Sequence, residues 1–311
     1  MNRRQIGVVG AGRSRTRGIV DIAMVQSLAR RDDLAELTAG YGFVVVDECH
    51  HVPAVTFERV VRQIAAPAWL GLTATPYRRD GLEGLITMYC GPIRHRMGER
   101  AAEDAGFVRA LTVHSTDHVS APAEVAGDAS TAGPSIQAVF RDLVEDEART
   151  RQICADIAAS ARVGRNCLVL SQWTEHLARL AAQLEAVGLV PDVLQGGVGK
   201  KARRLVTDRL SAARPGDGVI LLATGSLLGE GFDCPPLDTL FLAFPIAFRG
   251  RLVQYVGRVL RPIDGKRRVE VHDYVDKRVP VLSRMHTKRL VAYVSLGFDV
   301  RRAAVGRDGH R

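Results

Sequence analysis

The sequence has neither paired cysteines nor a long apolar run. Its five cysteines are scattered over 311 residues and never form a CxxC pair, which argues against a disulfide framework or a zinc ribbon and indicates a reducing cytosol. The run around Val219 to Leu222, one of the longest apolar runs, is typical of a buried strand and is too short to cross a bilayer. We therefore expect a cytoplasmic protein with no membrane partner.

Acidic residues are fewer than basic ones. The 43 Lys and Arg residues against 34 Asp and Glu give a formal net charge of +9 and a pI near 9.7. Such a charge fits a polyanionic partner, although many basic proteins bind none. Arginine greatly outnumbers lysine, which suits bidentate contacts with phosphate but can equally reflect genome composition. The charge therefore indicates nucleic acid as a partner class without establishing it.

The pattern of apolar residues predicts an α/β protein. From about Asp21 onward, short apolar runs alternate with helical patterns, which predicts parallel sheets covered by helices on both faces. Phe43 to Val46 is continuously apolar, and this predicts a strand that is buried on both faces. A second series of the same kind follows a long helical pattern that starts at Ile136.

One stretch breaks this rhythm and divides the chain. Residues 115–134 have no periodicity and many small or turn-forming residues, as expected of a linker. We therefore predict two parallel-sheet domains, with a first domain over residues 1–114, the linker over 115–134, a second domain over 135–300 and a basic tail over 301–311.

An acidic pair follows the first buried strand. Asp47 and Glu48 come directly after four apolar residues, and ligands of parallel sheets bind outside the carboxyl ends of the strands. A carboxylate pair at such an edge can hold Mg²⁺ through water and activate an attacking water. A helix N-cap next to a surface acid is the plainer interpretation. A metal site that includes Cys49, His50 and His51 is a further alternative, but adjacent residues cannot all point at one ion.

A second polar group occupies one side of a helical pattern near the end of the chain. At about 100° per residue, Gln254, Arg258 and Arg261 fall within about 60° of one another, and Pro262 ends the pattern. The opposite side is apolar: Leu252, Val253, Val256, Val259 and Leu260. Arginines in this arrangement can stabilise charge on a transferring phosphoryl group, and a solvated face of an amphipathic helix is equally consistent.

A glycine-rich turn follows another apolar strand. Thr224 comes directly after the run from Val219 to Ala223, and Gly229, Gly231 and Asp233 follow shortly afterwards. Glycines let a backbone approach phosphate closely, and Asp233 can contact a ribose or a neighbouring arginine. By itself this turn is a common feature of α/β proteins.

The order of these motifs resembles that of superfamily 2 helicases. Asp-Glu-Cys-His, then Thr-Ala-Thr, Gly-Glu-Gly-Phe-Asp and Gln-x-x-Gly-Arg-x-x-Arg match signatures II, III, V and VI of that superfamily. The chain resembles the DEAD/DEAH-like helicases related to the Res subunit of type III restriction enzymes and to the XPB group, from about Asp21 to Leu296. The resemblance implies two RecA-like domains, hydrolysis of ATP with Mg²⁺, and nucleic acid, DNA rather than RNA, as partner.

The resemblance also implies catalytic roles. Asp47 would hold Mg²⁺ through water, and Glu48 would be the base that orients the attacking water. Arg261, with Arg258, would be the arginine finger of the second domain, with Gln254 close to the γ-phosphate or the attacking water.

Further residues follow from the same resemblance. His50, Thr73 and Thr75 would couple hydrolysis to movement of the nucleic acid. The remaining ATP-binding and coupling residues would be Gly229, Gly231 and Asp233. The residues that contact the nucleic-acid backbone would be Gln26, Ser27, Gly196, Gly197 and Thr224.

Such a helicase also needs a GxxxxGK[ST] loop to bind phosphates, and the sequence has no convincing match. The nearest, from Gly7 to Ser14, has arginine in place of lysine, and only six residues precede it. The segment from Gly196 to Lys201 has the wrong spacing and no Ser or Thr. We therefore expect the first domain to be incomplete at its N-terminus, and the loss of a central strand would expose edges and apolar faces.

Three interpretations remain open. The chain is an ATP-dependent DNA helicase or translocase that is inactive alone unless its missing N-terminal part is supplied, for instance by a separate chain. Alternatively, it is a non-hydrolysing nucleic-acid-binding module of helicase-like fold. A sugar- or nucleotide-processing α/β enzyme would show a similar two-domain rhythm, but the ordered motifs disfavour it.

Overall fold

The computed structural model describes residues 5–49, 54–73, 83–95, 107–120, 135–225, 234–246 and 249–303. The chain divides into two compact units, Met1–Arg96 and Met97–Arg311. Within the described residues, every helix is too short or too polar to cross a bilayer.

The described residues of the first unit form two small sheets. β1 (Ile6–Gly10), β2 (Arg13–Arg15) and β3 (Val20–Ala23) form one sheet in the order β2-β1-β3, with β2 antiparallel and β3 parallel to β1. β4 (Phe43–Val46) and β5 (Ala68–Gly71) form a parallel pair. The helices are α1 (Val25–Leu28), α2 (Leu34–Thr38), α3 (Ala54–Val61) and α4 (Glu83–Cys90).

The prediction that β4 is buried on both faces is wrong. Val46 is buried and packs with Phe57 of α3, whereas Phe43 and Val45 are 55% and 50% exposed. Because successive side chains of a strand point to opposite faces, one face of β4 packs on helices and the other is open. A run of apolar residues does not show how many faces are covered.

In the part of the second unit that the structure describes, seven parallel strands form one sheet in the order β12-β6-β11-β10-β7-β9-β8. The strands are β6 (Val108–Ser115), β7 (Cys167–Ser171), β8 (Asp192–Leu194), β9 (Ile220–Thr224), β10 (Thr239–Leu242), β11 (Arg268–Val275) and β12 (Asp299–Arg302). The helices are α5 (Ile136–Glu145), α6 (Glu147–Arg162), α7 (Thr174–Ala186), α8 (Lys200–Ala212), α9 (Arg249–Val259) and α10 (Pro280–Ser295). This architecture confirms the predicted α/β class.

Strand β6 belongs to this large sheet. It pairs with β11 from Val108 opposite Arg268 to Ser115 opposite Val275. Residues 108–115 therefore lie in the sheet of the second unit, although the sequence pattern assigned residues up to 114 to the first domain. β12 reaches Arg302, which lies in the predicted basic tail, and pairs with β6.

The central strands of the second unit are buried on both faces. Every residue of β7, β9 and β10 is buried. Leu168, Leu221 and Leu240 pack in one core cluster. Their neighbours along the strands pack in another: Val169, Leu222 and Phe241. The continuous hydrophobicity of these strands therefore reflects burial on both faces, which was predicted for β4 but is absent there.

Candidate functional site

The acidic pair lies at the carboxyl edge of the β4–β5 pair. The Leu72 N–H donates to the Val46 carbonyl (2.8 Å), so the pairing continues beyond the end of β5. This bond holds Asp47 and Glu48 beside the Leu72–Thr73 segment. Asp47 is exposed and Glu48 is half-buried. The structure thus brings the predicted acidic pair and Thr73 to one edge, where ligands of parallel sheets bind.

Glu48 has an unusual backbone conformation. Its φ of +48° lies in the left-handed region, which costs a residue with a side chain of the order of 1–3 kcal/mol. The Glu48 N–H donates to Asp47 Oδ1 (2.9 Å), and the N–H of Cys49 donates to the Leu72 carbonyl (3.0 Å). Bonds on both sides of Glu48 therefore hold a strained turn, and such strain is concentrated at functional sites.

The structure argues against the alternative metal site at this turn. Cys49 is buried and packs with Val46 and Phe57, and burial, assisted by neighbouring Cys90, raises the pKa of its thiol to about 11. A cysteine must lose its proton to bind a metal. His50 and His51 lie outside the described residues. Among the residues that are described, no three His, Cys, Asp or Glu side chains are grouped to hold a metal ion.

The nearest match to a phosphate loop, residues 7–14, forms a β-hairpin. Gly10 pairs with Arg13 across the antiparallel strands β1 and β2. Ala11 and Gly12 turn the chain with φ of +50° and +77°. A phosphate loop leads from a strand into the N-terminus of a helix, whose N–H groups bind the phosphates. This turn leads into a second strand, so it does not have phosphate-loop geometry.

The predicted nucleic-acid contacts of the first unit lie in a single helical turn. Gln26 and Ser27 belong to α1, which begins shortly after the carboxyl end of β3. Gln26 is exposed and Ser27 is half-buried. The Ser27 N–H donates to the Met24 carbonyl (2.9 Å), which fixes the start of this turn.

In the second unit, α9 separates an apolar face from a polar one. Leu252, Val256 and Val259 are fully buried, whereas Gln254 and Arg258 are half-buried. This separation is the one that the helical spacing predicts. It leaves the amide and the guanidinium group at the boundary between core and solvent.

Arg261 lies just beyond this helix rather than on it. α9 ends at Val259, and Pro262 disfavours the helical conformation for the residue before it. The predicted helix through Arg261 is therefore too long by two residues. Arg261 is exposed, and its carbonyl accepts a hydrogen bond from Lys266 Nζ (2.7 Å).

Lys266 ties this carbonyl to a second segment. Its ammonium group also donates to the Pro235 carbonyl (2.8 Å), two residues after Asp233. Lys266 is buried, and burial lowers its pKa to about 8, although Asp238 opposes the shift. The two bonds hold the end of the arginine segment against the residues that follow the glycine-rich turn.

A buried arginine holds the chain after β10, on the way to α9. Arg149 Nε donates to Asp276 Oδ1 (2.9 Å) and its Nη1 donates to the Ala243 carbonyl (2.7 Å). Both side chains of the ion pair are almost fully buried. Thr116 Oγ1 also donates to Asp276 Oδ1 (2.6 Å). This network fixes the first residue after β10.

A second buried arginine, Arg289, holds the same segment at Ile246, three residues after Ala243. Arg289 makes a bidentate pair with Asp273, through Nε (2.8 Å) and Nη2 (2.7 Å). Its Nη1 donates to the Ile246 carbonyl (3.3 Å). Local sequence patterns predicted neither arginine, because Arg149 and Arg289 lie 127 and 16 residues from their aspartates. An acid near the end of an apolar strand, as at Asp273, is the one local signal.

Three further predicted residues of the second unit, Thr224, Gly196 and Gly197, lie at the carboxyl edge of its sheet. Thr224 ends β9 and is buried. A Cβ atom on Gly225 would clash with the hydroxyl group of Tyr255, so glycine lets α9 approach this edge. Gly196 and Gly197 lie in the exposed turn after β8, the neighbour of β9.

Outside the described residues lie His50, Thr75, Gly229, Gly231 and Asp233. Each unit thus presents its own set of polar groups, Asp47, Glu48 and Thr73 in the first and Gln254 and Arg258 in the second.

Comparison with known proteins finds similarity to a restriction-enzyme family and to helicases. Residues 2–78 match the family model of the type III restriction enzyme, res subunit. The chain is 27% identical over 240 residues to a putative ATP-dependent RNA helicase of Acanthamoeba polyphaga mimivirus, covering 77% of the chain and 44% of that protein. It is 28% identical over 232 residues to the DNA 3'-5' helicase XPB of Kineococcus radiotolerans, covering 71% of the chain and 37% of that protein.

Solved structures show the same fold. A fragment of a putative HsdR subunit of a type I restriction enzyme from Vibrio vulnificus aligns with 96% of the chain at a TM-score of 0.62 and 18% identity, over 54% of its own chain. Dbp5 of S. cerevisiae bound to RNA and ADP BeF3 aligns with 97% at a TM-score of 0.59 and 12% identity, over 71% of its own chain. The chain spans about half the length of the curated relatives it matches. The chain is similar in sequence and fold to superfamily 2 helicases related to the Res-subunit and XPB groups.

Proposed function

We propose that this chain is the core of an ATP-dependent DNA helicase or translocase. The observation that carries the proposal is Glu48, held in a left-handed conformation at the carboxyl end of β4 beside Thr73. Backbone strain at a ligand-binding edge is expected of a residue selected for its position rather than for stability.

In this proposal Asp47 binds the metal ion and Glu48 orients the attacking water. Asp47 is exposed at the strand end and fits Mg²⁺, which proteins bind through one or two carboxylates together with water and substrate phosphates. When bound, the ion neutralises charge on the phosphate oxygens of ATP. Glu48 accepts a hydrogen bond from the attacking water and orients it toward the γ-phosphate.

The second unit supplies positive charge. Arg258 and Arg261 stabilise the negative charge of the transferring phosphoryl group, and Gln254 contacts the γ-phosphate or the attacking water. Hydrolysis is coupled to movement of the strand through His50, Thr73, Thr75, Gly229, Gly231 and Asp233. The strand is contacted by Gln26, Ser27, Gly196, Gly197 and Thr224.

We also propose that the first unit is completed by a further segment, on the same or on a separate chain. Phe43 and Val45 of β4 and Leu70 of β5 expose apolar surface on one face of the pair. Soluble proteins rarely leave such strands uncovered. The completing segment would also bring the lysine-bearing loop that binds the phosphates, so the chain alone would not turn over ATP.

The test compares ATP turnover with and without the completing segment. The chain is expressed alone and together with the sequence encoded upstream of Met1, and ATP hydrolysis is measured with and without single-stranded DNA. We expect DNA-stimulated turnover only in the completed protein. Within it, Glu48→Gln should leave ATP binding intact and lower kcat at least about 100-fold, as loss of a general base does.

The matched control is Glu58→Gln, since Glu58 is a part-exposed acid of α3 that pairs with Arg62 (2.5 Å). Its turnover should equal that of the wild type. Unchanged turnover in Glu48→Gln would refute the role of Glu48. Absence of turnover in the completed protein would favour a non-hydrolysing nucleic-acid-binding module, which the hairpin geometry of residues 7–14 also permits.

A further inference from the structure

A row of exposed arginines has no role in the proposed ATP site. Arg13 and Arg15 belong to β2, Arg17 follows it, and all three are exposed. No acidic residue occurs from Gln5 to Val20. Among the described residues, no carboxylate lies within ion-pair distance of these three guanidinium groups. We propose that this arginine row binds the phosphate backbone of a nucleic-acid strand.

The register of the hairpin places two of these arginines on one face. Val8 lies opposite Arg15 and Gly10 lies opposite Arg13, and residues directly opposite each other in antiparallel strands share a face. Val9, which is buried, therefore points to the other face. Alternate residues of a strand are about 7 Å apart, a spacing comparable to that of successive phosphates along an extended strand.

The face that carries Arg13 and Arg15 is exposed to solvent at β3. Val20 and Ile22 pair with alternate residues of β1, and they are 39% and 60% exposed. The arginine row thus borders an accessible apolar surface. Proteins that bind single strands without sequence preference combine a positively charged groove along the backbone with side chains that contact the bases, usually aromatic ones. Here Val20 and Ile22 offer an aliphatic surface instead.

Hydrogen bonds to the Asp21 carboxylate fix the turn after β2. Its carboxylate accepts hydrogen bonds from the N–H groups of Arg17 (2.9 Å) and Gly18 (3.0 Å) and from the hydroxyl of Tyr41. Burial would raise the pKa of Asp21, but these hydrogen bonds lower it below its usual value. The carboxylate stays ionised and holds the backbone at Arg17, so the row has a defined geometry before any strand binds.

A plainer function of these arginines is protection of an edge. β2 is the outer strand of its sheet, and charged side chains on edge strands prevent pairing with another chain. Protection requires charge but no ligand, whereas phosphate binding gives a measurable dependence on salt. The inference rests on the proposed function, because it adds a contact surface to the nucleic acid that the helicase core would bind.

The experiment measures the binding of fluorescein-labelled single-stranded DNA and RNA of one sequence to the 311-residue chain at several KCl concentrations. The test variant is Arg13→Gln/Arg15→Gln/Arg17→Gln. The control is Arg151→Gln/Arg162→Gln/Arg179→Gln, which removes the same charge from α6 and α7. Arg151 and Arg179 pair with glutamates on their own helices, so the control alters net charge without altering the hairpin.

Each phosphate contact on a single strand contributes about 0.7 to the slope of log K against log salt. We expect the test variant to lose about 2 from this slope and to bind at least about tenfold more weakly at 0.1 M salt. The control should keep the wild-type slope. Replacement of the three arginines by lysine should also keep it, because lysine neutralises phosphate equally well, and this variant shows that the hairpin tolerates substitution.

Several outcomes would overturn the inference. Equal affinity and slope in the test and control variants would show that the hairpin lies outside the interface, while the proposed function would stand. Wild-type protein that binds neither DNA nor RNA would overturn the inference and the nucleic-acid part of the proposed function together. If the triple variant does not fold, the single variant Arg15→Gln should lower the slope by about 0.7, and an unchanged slope would refute the proposal.

Discussion

Replacing Arg289 by methionine should strongly destabilise the second unit. The side chains of Arg289 and Asp273 are only 3% and 0% exposed, and they form a bidentate pair. Methionine fills a similar volume but leaves the Asp273 carboxylate buried without its partner. Removing one member of a buried pair costs about 3–5 kcal/mol, because the remaining charge is uncompensated. The bond to the Ile246 carbonyl is lost as well.

The free energy of unfolding is measured by urea titration and by thermal melting followed with circular dichroism. For a unit of this size, 1 kcal/mol shifts the melting temperature by about 2–4 °C, so Arg289→Met should lower it by about 6–20 °C. The control is Arg151→Met, since Arg151 is exposed and its pair with Glu147 (3.4 Å) lies on one helix. The control should change stability by less than about 0.5 kcal/mol.

A double variant separates the charge from the packing. Arg289→Met combined with Asp273→Leu leaves no unpaired charge, and an apolar replacement of a buried ion pair is often close to neutral. We expect the double variant to recover most of the lost stability. A loss below about 1 kcal/mol in Arg289→Met, or a double variant no more stable than the single one, would refute the reasoning.

Two buried bases should make stability depend on pH. Burial lowers the pKa of His176 from 6.5 to about 3. Between these values the unfolded chain binds a proton that the folded chain does not bind, so stability should fall as the pH drops from 6.5 toward 3. His176→Leu should flatten this fall in urea titrations at pH 4 and 7, and an unchanged fall would contradict the assignment. Burial lowers the pKa of Lys266 from 10.5 to about 8. The free energy of unfolding should therefore increase as the pH is raised from about 8 to 10.5. Lys266→Met should abolish the rise, whereas a rise of the same size in the variant would place its origin elsewhere.

The two units differ in how well the sequence predicts them. Continuous apolar runs predicted strands in both, and strands occur at Phe43–Val46 and Ile220–Thr224. The first is open on one face and the second is buried on both. The same local pattern therefore occurs in two environments. Burial depends on which helices pack against the sheet, and an apolar run does not determine whether one face or both are covered.

The candidate site shows the same division. Helical spacing was sufficient to place Gln254 and Arg258 opposite Leu252 and Val256, since a helix fixes the directions of its own side chains. The left-handed conformation of Glu48 could not be predicted, because it depends on the Leu72 carbonyl, which belongs to a neighbouring strand end.

The sequence by itself determined the fold class, the motifs in their order and the family resemblance, because each depends on residues close together in the chain. Only the tertiary structure decided that β6 pairs with β11. It alone revealed that Arg149 and Arg289 hold the chain before α9, and that residues 7–14 form a hairpin rather than a phosphate loop. The first two features join groups that are far apart in the sequence, and the third depends on whether a turn leads into a strand or a helix. A local sequence pattern determines neither.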